Sequence, residues 1–256
     1  MIKVITATHK PYTMPQDPMY LPVFVGAAGR SSIGYQRDDE GENISSLNPY
    51  YCELTGLYWA WKNLDADYVG LAHYRRHFRG KKKGRTLFDS VLTEKEAEAL
   101  LKNTDIILPA KRHYVIETVG NHYAHTHYKK DLDKTRVILA KIYPEYLKAF
   151  DRHMRSTSGH MFNMFIMKKE LADAYCEFLF TVLQQLRKMV DFRSYDAFQA
   201  RLFGRISELL LDVWIQTNHL TYKEVPVISM EPVPWLKKGT AFLEAKFFGK
   251  KYEGSF

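Results

Sequence analysis

Residues 67–79 read DYVGLAHYRRHFR, a short apolar run that stops abruptly at two histidines, a tyrosine and three arginines. Val69, Gly70, Leu71 and Ala72 have the continuous apolar character of a strand buried on both faces by flanking helices. Such a strand delivers His73, Tyr74, Arg75 and Arg76 to its C-terminal end, where open α/β sheets bind ligands. Arginine forks match phosphate oxygens in geometry, so the local chemistry reads as an anion site suited to a diphosphate. A solvated basic turn after a core strand has the same spacing.

Outward from this strand, the pattern alternates between helix and strand. Residues 2–8 and 21–27 read as strands on either side of a loop rich in Pro, Met and Tyr. Residues 31–47 are polar and carry Gly34, Asp38, Asp39, Gly41 and Asn43, a loop expected to be mobile. Asn48 can cap and Pro49 open a helix over 48–61, with Leu54, Leu57, Tyr58 and Trp61 on its buried face. A helix over 93–101 and a strand over 105–109 follow. The second half is more helical, with helices over 131–142, 144–150 and 168–189, and a strand over 161–167. An amphipathic helix over 195–218 has a polar stripe of Arg201, Arg205, Glu208 and Asp212. Together these imply an α/β sheet flanked by helices.

With 256 residues, 46% of them hydrophobic, the chain can bury a sizeable core, and a net charge of +8 favours anionic partners. Cys52 and Cys176 form no CxxC pair, which argues against a disulfide framework or zinc finger. Neither a signal peptide nor about 18 consecutive apolar residues occurs, so a cytoplasmic protein is expected.

Six blocks, ITATHKPY, NISSLNPYYCELTGLYWAWKN, YVGLAHYRRHF, HMFNMFIMKKELADAYCEFLF, FGRISELLLDVW and FGKKYEGSF, together resemble the bacterial family catalogued as domain of unknown function 4422. That family is associated with capsular and exopolysaccharide glycosyltransferases. The resemblance runs in order over nearly the whole chain. It implies a GT-A-like, Rossmann-type nucleotide-binding sheet; length and composition favour one such domain over 1–235, against two small ones, followed by a basic, aromatic tail over 236–256. It also implies transfer of a hexose, with galactose in furanose or pyranose form a common theme, from a UDP-sugar to a lipid-linked oligosaccharide.

GT-A enzymes normally hold a divalent ion on an Asp-x-Asp motif after a central strand. Here Asp65-Ala66-Asp67 precedes the apolar run and would lie at the wrong end of it. The expectation is therefore no metal or other cofactor, with Arg75 and Arg76 stabilising the leaving diphosphate in place of manganese or magnesium.

Further donor contacts are expected from Thr8, His9 and Lys10 after the first strand, and from Asn48 and Glu53 at the helix start, where Asn48 equally fits a simple cap. Asn163 and His160 are expected on the sugar side, since a buried amide needs partners that sugar hydroxyls would supply; a backbone-satisfied core Asn is the alternative. Inverting transfer needs a base for the acceptor hydroxyl. Glu208 is the first candidate, against a surface pair with Arg205, followed by His127 and Asp131. His125 is assigned to the acceptor, because the histidines at 113, 122, 125 and 127 match no zinc spacing.

The final stretch sets Lys237, Lys238, Lys246, Lys250 and Lys251 among aromatic residues, as in proteins that rest on an anionic bilayer, here the inner face of the cell membrane. A packed, solvated helix is the alternative. No nucleic-acid-binding pattern is present, so nucleic acid is not an expected partner. A non-catalytic nucleotide-sugar or polysaccharide-binding component of an assembly complex is the competing function.

Overall fold

The computed structural model describes residues 1–114 and 116–232. The central sheet runs through β1 (Ile2–Thr8), β2 (Tyr20–Phe24), β3 (Gln36–Arg37), β4 (Tyr68–His73), β6 (Ile106–Pro109), β9 (Phe165–Lys168) and β10 (Lys223–Val225), in the spatial order β3-β2-β1-β4-β9-β6-β10. Among these seven, only β9 is reversed, pairing antiparallel with β4 on one side and β6 on the other. After a two-residue turn, β5 (Arg76–Phe78) folds back on β4, with His73 opposite Arg76, and pairs antiparallel with β11 (Val227–Ser229). A separate ribbon joins β7 (Arg112–His113) to β8 (Ser158–Gly159).

Strand alternation builds two cores. Ile5, Val23, Leu71, Ile106 and Phe165 point to one face, into the larger cluster, while Val4, Ala72, Ile107 and Ile166 point to the other. Burial on both faces explains why the strands read as unbroken apolar runs. At the centre, Gly70 admits no side chain, because a Cβ there would stand 2.8 Å from the Phe165 carbonyl oxygen.

The helices are α1 (Asn48–Tyr51), α2 (Leu54–Asn63), α3 (Glu94–Leu101), α4 (Val119–Thr126), α5 (Lys129–Ile142), α6 (Leu147–Arg155), α7 (Lys169–Met189) and α8 (Leu202–Thr217). Thr93 caps α3 in a reciprocal capping box with Glu96. Among the described residues, no helix is long and apolar enough to cross a membrane. The basic, aromatic segment 236–256 lies outside the described residues.

Four local expectations are corrected. The helix expected over 48–61 is two, because Cys52 adopts φ 54° and breaks it. The strand expected from 161 begins at Phe165, since Phe162 and Asn163 both have positive φ. The long helix expected from 195 starts as α8 only at Leu202, after a short 3-10 turn. The polar stretch 31–47, expected to be mobile, is anchored. Asp38 is fully buried and accepts hydrogen bonds from the Gly26 and Ala27 amides and the Ser45 hydroxyl, so its polar residues satisfy the loop's own backbone.

Candidate active site

The C-terminal ends of β1 and β4 form the floor of the candidate site. Thr8 is buried, and its hydroxyl donates to the Lys10 carbonyl at 2.6 Å, folding the loop back on itself. Tyr74 lies under that loop, 5% exposed, with its ring edge-on to His9 and Tyr12 and 5.4 Å from Lys10 Nζ. Thr8 and Tyr74 were expected to touch the donor; both instead shape the loop that presents His9 and Lys10, which are exposed.

Cations converge above this floor. Partial burial of the His9 ring lowers its pKa, and Lys10, Arg75, Arg30 and Arg201 lower it further. Arg75 reaches Glu231 at 3.5 Å, while its Nε is buried without a hydrogen-bond partner among the described residues. Arg76 lies with its guanidinium 4.5 Å from the centre of the Phe162 ring. Burial lowers its pKa and Arg75 adds to the effect, partly offset by Glu208 and Glu53.

The start of α8 supplies two further arginines. Arg201 donates from Nε to Cys52 Sγ at 3.1 Å. Arg205 donates from Nη1 to His127 Nδ1 at 2.9 Å and lies 3.8 Å over the Phe198 ring. Burial, with Arg201 beside it, brings Arg205 down to about 10. Sequence reasoning placed Arg201 and Arg205 on the polar stripe of this helix and did not count them as site residues. The available signal was their spacing with Glu208, since 201, 205 and 208 share one helical face.

Two carboxylates oppose these cations. The break at Cys52 leaves Glu53, 7% exposed, at the entry to α2, where Oε1 lies 3.4 Å from His73 Nε2 and accepts from Asn163 Nδ2 at 2.7 Å. Burial pushes the Glu53 carboxyl up, but the His73 charge and the bonds from His73 and Asn163 outweigh it and bring the net down to about 2. Glu208 goes the other way. Burial and the Glu53 charge raise it to about 7 against the partial relief of His73, a Phe162 backbone hydrogen bond and Arg205. Adjacent carboxyls pushed in opposite directions are the usual mark of divided acid and base roles. Glu208 is half-buried rather than a solvated surface residue.

Several expected contacts lie elsewhere. Asn163 does not offer its amide to a sugar, because Nδ2 donates to Glu53 and to the Gly204 carbonyl and Oδ1 accepts from Ser207. His160 is fully buried, with Nδ1 2.6 Å from Asp212 and Nε2 3.2 Å from Glu224, because the polar stripe of α8 continues into the core at Asp212. Asp131, 1% exposed, accepts from the Tyr195 hydroxyl. His125 pairs with the buried carboxylate of Glu117 at 2.6 Å. Asn48 follows the N-cap and is not the cap itself; its amide donates to the Cys52 carbonyl and the Thr55 hydroxyl, bracing the break. Gly26, at φ +67°, makes room for it, since a Cβ there would fall 2.7 Å from the Asn48 side chain.

The residues present do not fit a divalent ion on an Asp-x-Asp pair. Asp65 and Asp67 are exposed in the turn before β4, at the opposite end of the strand from His73. Among the described residues, no group of three or more potential ligands could hold a metal.

The family described as Domain of unknown function (DUF4422) matches residues 3–219. Among solved structures, the fold is similar to that of a bifunctional glycosyltransferase, WbbM, in its apo form. Sequence identity is 31% and the TM-score 0.84, over 90% of this chain and 45% of that one. The chain thus spans a little under half the length of that protein. The match meets the expected GT-A-like α/β fold class. No curated protein matches the chain.

Proposed function

The chain belongs to the DUF4422 family, and from that premise we propose that it is a glycosyltransferase using a nucleoside-diphosphate sugar. The observation that carries this reading is Glu208, a half-buried carboxyl raised to about 7, set among Arg76, Arg201, Arg205 and His73 at the C-terminal edge of the sheet. A group near neutrality accepts a proton efficiently at working pH, and fixed cations stabilise a leaving diphosphate. The fold similarity to a glycosyltransferase supports the same class.

In the proposed reaction, Glu208 removes the proton from an acceptor hydroxyl as that oxygen bonds to the anomeric carbon with inversion. The bond from the anomeric carbon to the diphosphate oxygen breaks, and the electron pair leaves with the nucleoside diphosphate. Lys10, Arg75, Arg76 and Arg201 face that developing charge and take the role a metal has in related enzymes. The finer proposal is a UDP-hexose donor, with galactose the first sugar to test, and a lipid-linked oligosaccharide acceptor in capsule or exopolysaccharide synthesis.

Thermal unfolding with UDP, GDP and CDP and their sugars, each with EDTA and with manganese, tests the reading. A ligand at a hundred times its dissociation constant adds about 2.7 kcal/mol. A UDP-selective rise that survives EDTA is expected. A rise that needs manganese would overturn the arginine-for-metal proposal, and no rise with any nucleotide would overturn the donor class. Binding without turnover on any acceptor would leave a nucleotide-sugar-binding component of a polysaccharide assembly.

A further inference from the structure

Glu53 joins four separate parts of the chain. It stands where the helix breaks after Cys52, and its Oε1 meets both His73 at the end of β4 and Asn163 ahead of β9. Asn163 in turn is fixed to α8 by Gly204 and Ser207, one residue before Glu208. Phe162 and Asn163 hold φ of 74° and 55°, two consecutive left-handed residues that persist only where their surroundings over-determine them. The Phe162 backbone in that turn favours the ionised form of the Glu208 carboxyl.

We infer that Glu53 is a positioning residue for Glu208, holding the 162–163 turn against α8 and setting a fixed negative charge beside the base, rather than a contact to the donor. This inference rests on the glycosyltransferase reading. The charged groups facing Glu208 come from every element around it: Glu53, His73 on β4, Arg76 on β5, and Arg201 and Arg205 at the start of α8. Of these, Glu53 alone disfavours ionisation of Glu208. Its negative charge makes the carboxylate a stronger base, and the turn keeps that carboxylate aimed.

The test is the pH dependence of kcat in Glu53→Gln and Glu53→Asp, with Glu208→Gln as reference. Glu53→Gln should move the acidic limb about one pH unit lower, as loss of a like-charged neighbour does, and lower the plateau about tenfold. Donor KM should change far less than kcat. Glu53→Asp keeps the charge and should leave the limb in place. Should Glu53→Gln fail to fold, Asn163→Gly accepts the left-handed backbone without a side chain and should lower kcat with nucleotide binding intact. An unmoved limb in folded Glu53→Gln, unchanged kcat in Asn163→Gly, or a donor KM rising as much as kcat falls would overturn the inference while an inactive Glu208→Gln still supported the transferase. Full turnover in Glu208→Gln would overturn the base assignment, and this inference with it.

Discussion

Asn163 donates to Glu53 across 2.7 Å although the two stand 110 residues apart in the chain. The contact exists because both residues occupy backbone irregularities, Glu53 just after the break at Cys52 and Asn163 in a left-handed turn. A continuous helix over 48–61 and a strand from 161 would both point elsewhere. The site is thus assembled from interruptions of regular structure.

Glu208→Gln should lower kcat at least a hundredfold, the usual minimum for removing a general base, while nucleotide-induced thermal stabilisation persists. In the unmodified protein kcat should rise between pH 6 and pH 8, because Glu208 must be ionised to act and titrates near 7. A pH–rate profile at saturating donor measures this directly.

The same carboxyl costs stability. A group whose folded pKa is raised stabilises most below its unfolded value and loses that contribution as pH rises through the folded one, here between 4.5 and about 7. Glu208→Gln should therefore be more stable than the parent at pH 8, by about 1–3 kcal/mol, with little gain at pH 4.5. Glu53 has the opposite sign: held down at about 2, it stabilises above 4.5 and loses that contribution as pH falls toward 2. Urea unfolding of both Gln variants across pH separates the two.

Arg76→Ala and Arg201→Ala should each raise donor KM about tenfold or more, the effect of losing a charged hydrogen bond to phosphate. The effect should shrink as salt increases. Initial rates at two ionic strengths suffice.

Gly70→Ala should destabilise the fold by about 1–3 kcal/mol, because the added methyl meets the Phe165 carbonyl oxygen at 2.8 Å and backbone must move. Chemical denaturation gives the value.

Asp38→Ala leaves the Gly26 and Ala27 amides and the Ser45 hydroxyl without their acceptor. A loss of about 2–3 kcal/mol is expected, with faster amide exchange at Gly26 and Ala27.

The strands and long helices were legible because burial on two faces writes itself as apolar runs, as at Val69 to Ala72, and amphipathic burial as a 3.6-residue period, as in α8. His73, Arg75 and Arg76 follow directly from where β4 ends. Arg201 and Arg205 escaped notice because a polar helical stripe reads the same whether it faces water or a charged cleft. His160 and Asn163 were read toward a sugar because no local pattern reveals a polar partner 52 or 44 residues away, such as Asp212 or Ser207. The positive φ at Cys52 leaves no mark in composition, and the close approach of Gly204, where a Cβ would fall 3.3 Å from the Cys52 side chain, joins residues far apart in the sequence.

The reversed strand β9 also governs the order in which the molecule can be built. β4 and β6 do not pair with each other, and residues 165–168 supply the hydrogen-bonding edges that join them. During synthesis, β1, β2 and β4 can pair early, but β6 waits beside an open gap until Phe165–Lys168 has emerged. Until then both flanking edges are open to pairing with another chain. Folding of this protein should therefore be slow and dominated by non-local contacts, and ribosome-bound intermediates in which Phe165–Lys168 have yet to emerge should be its aggregation-prone species.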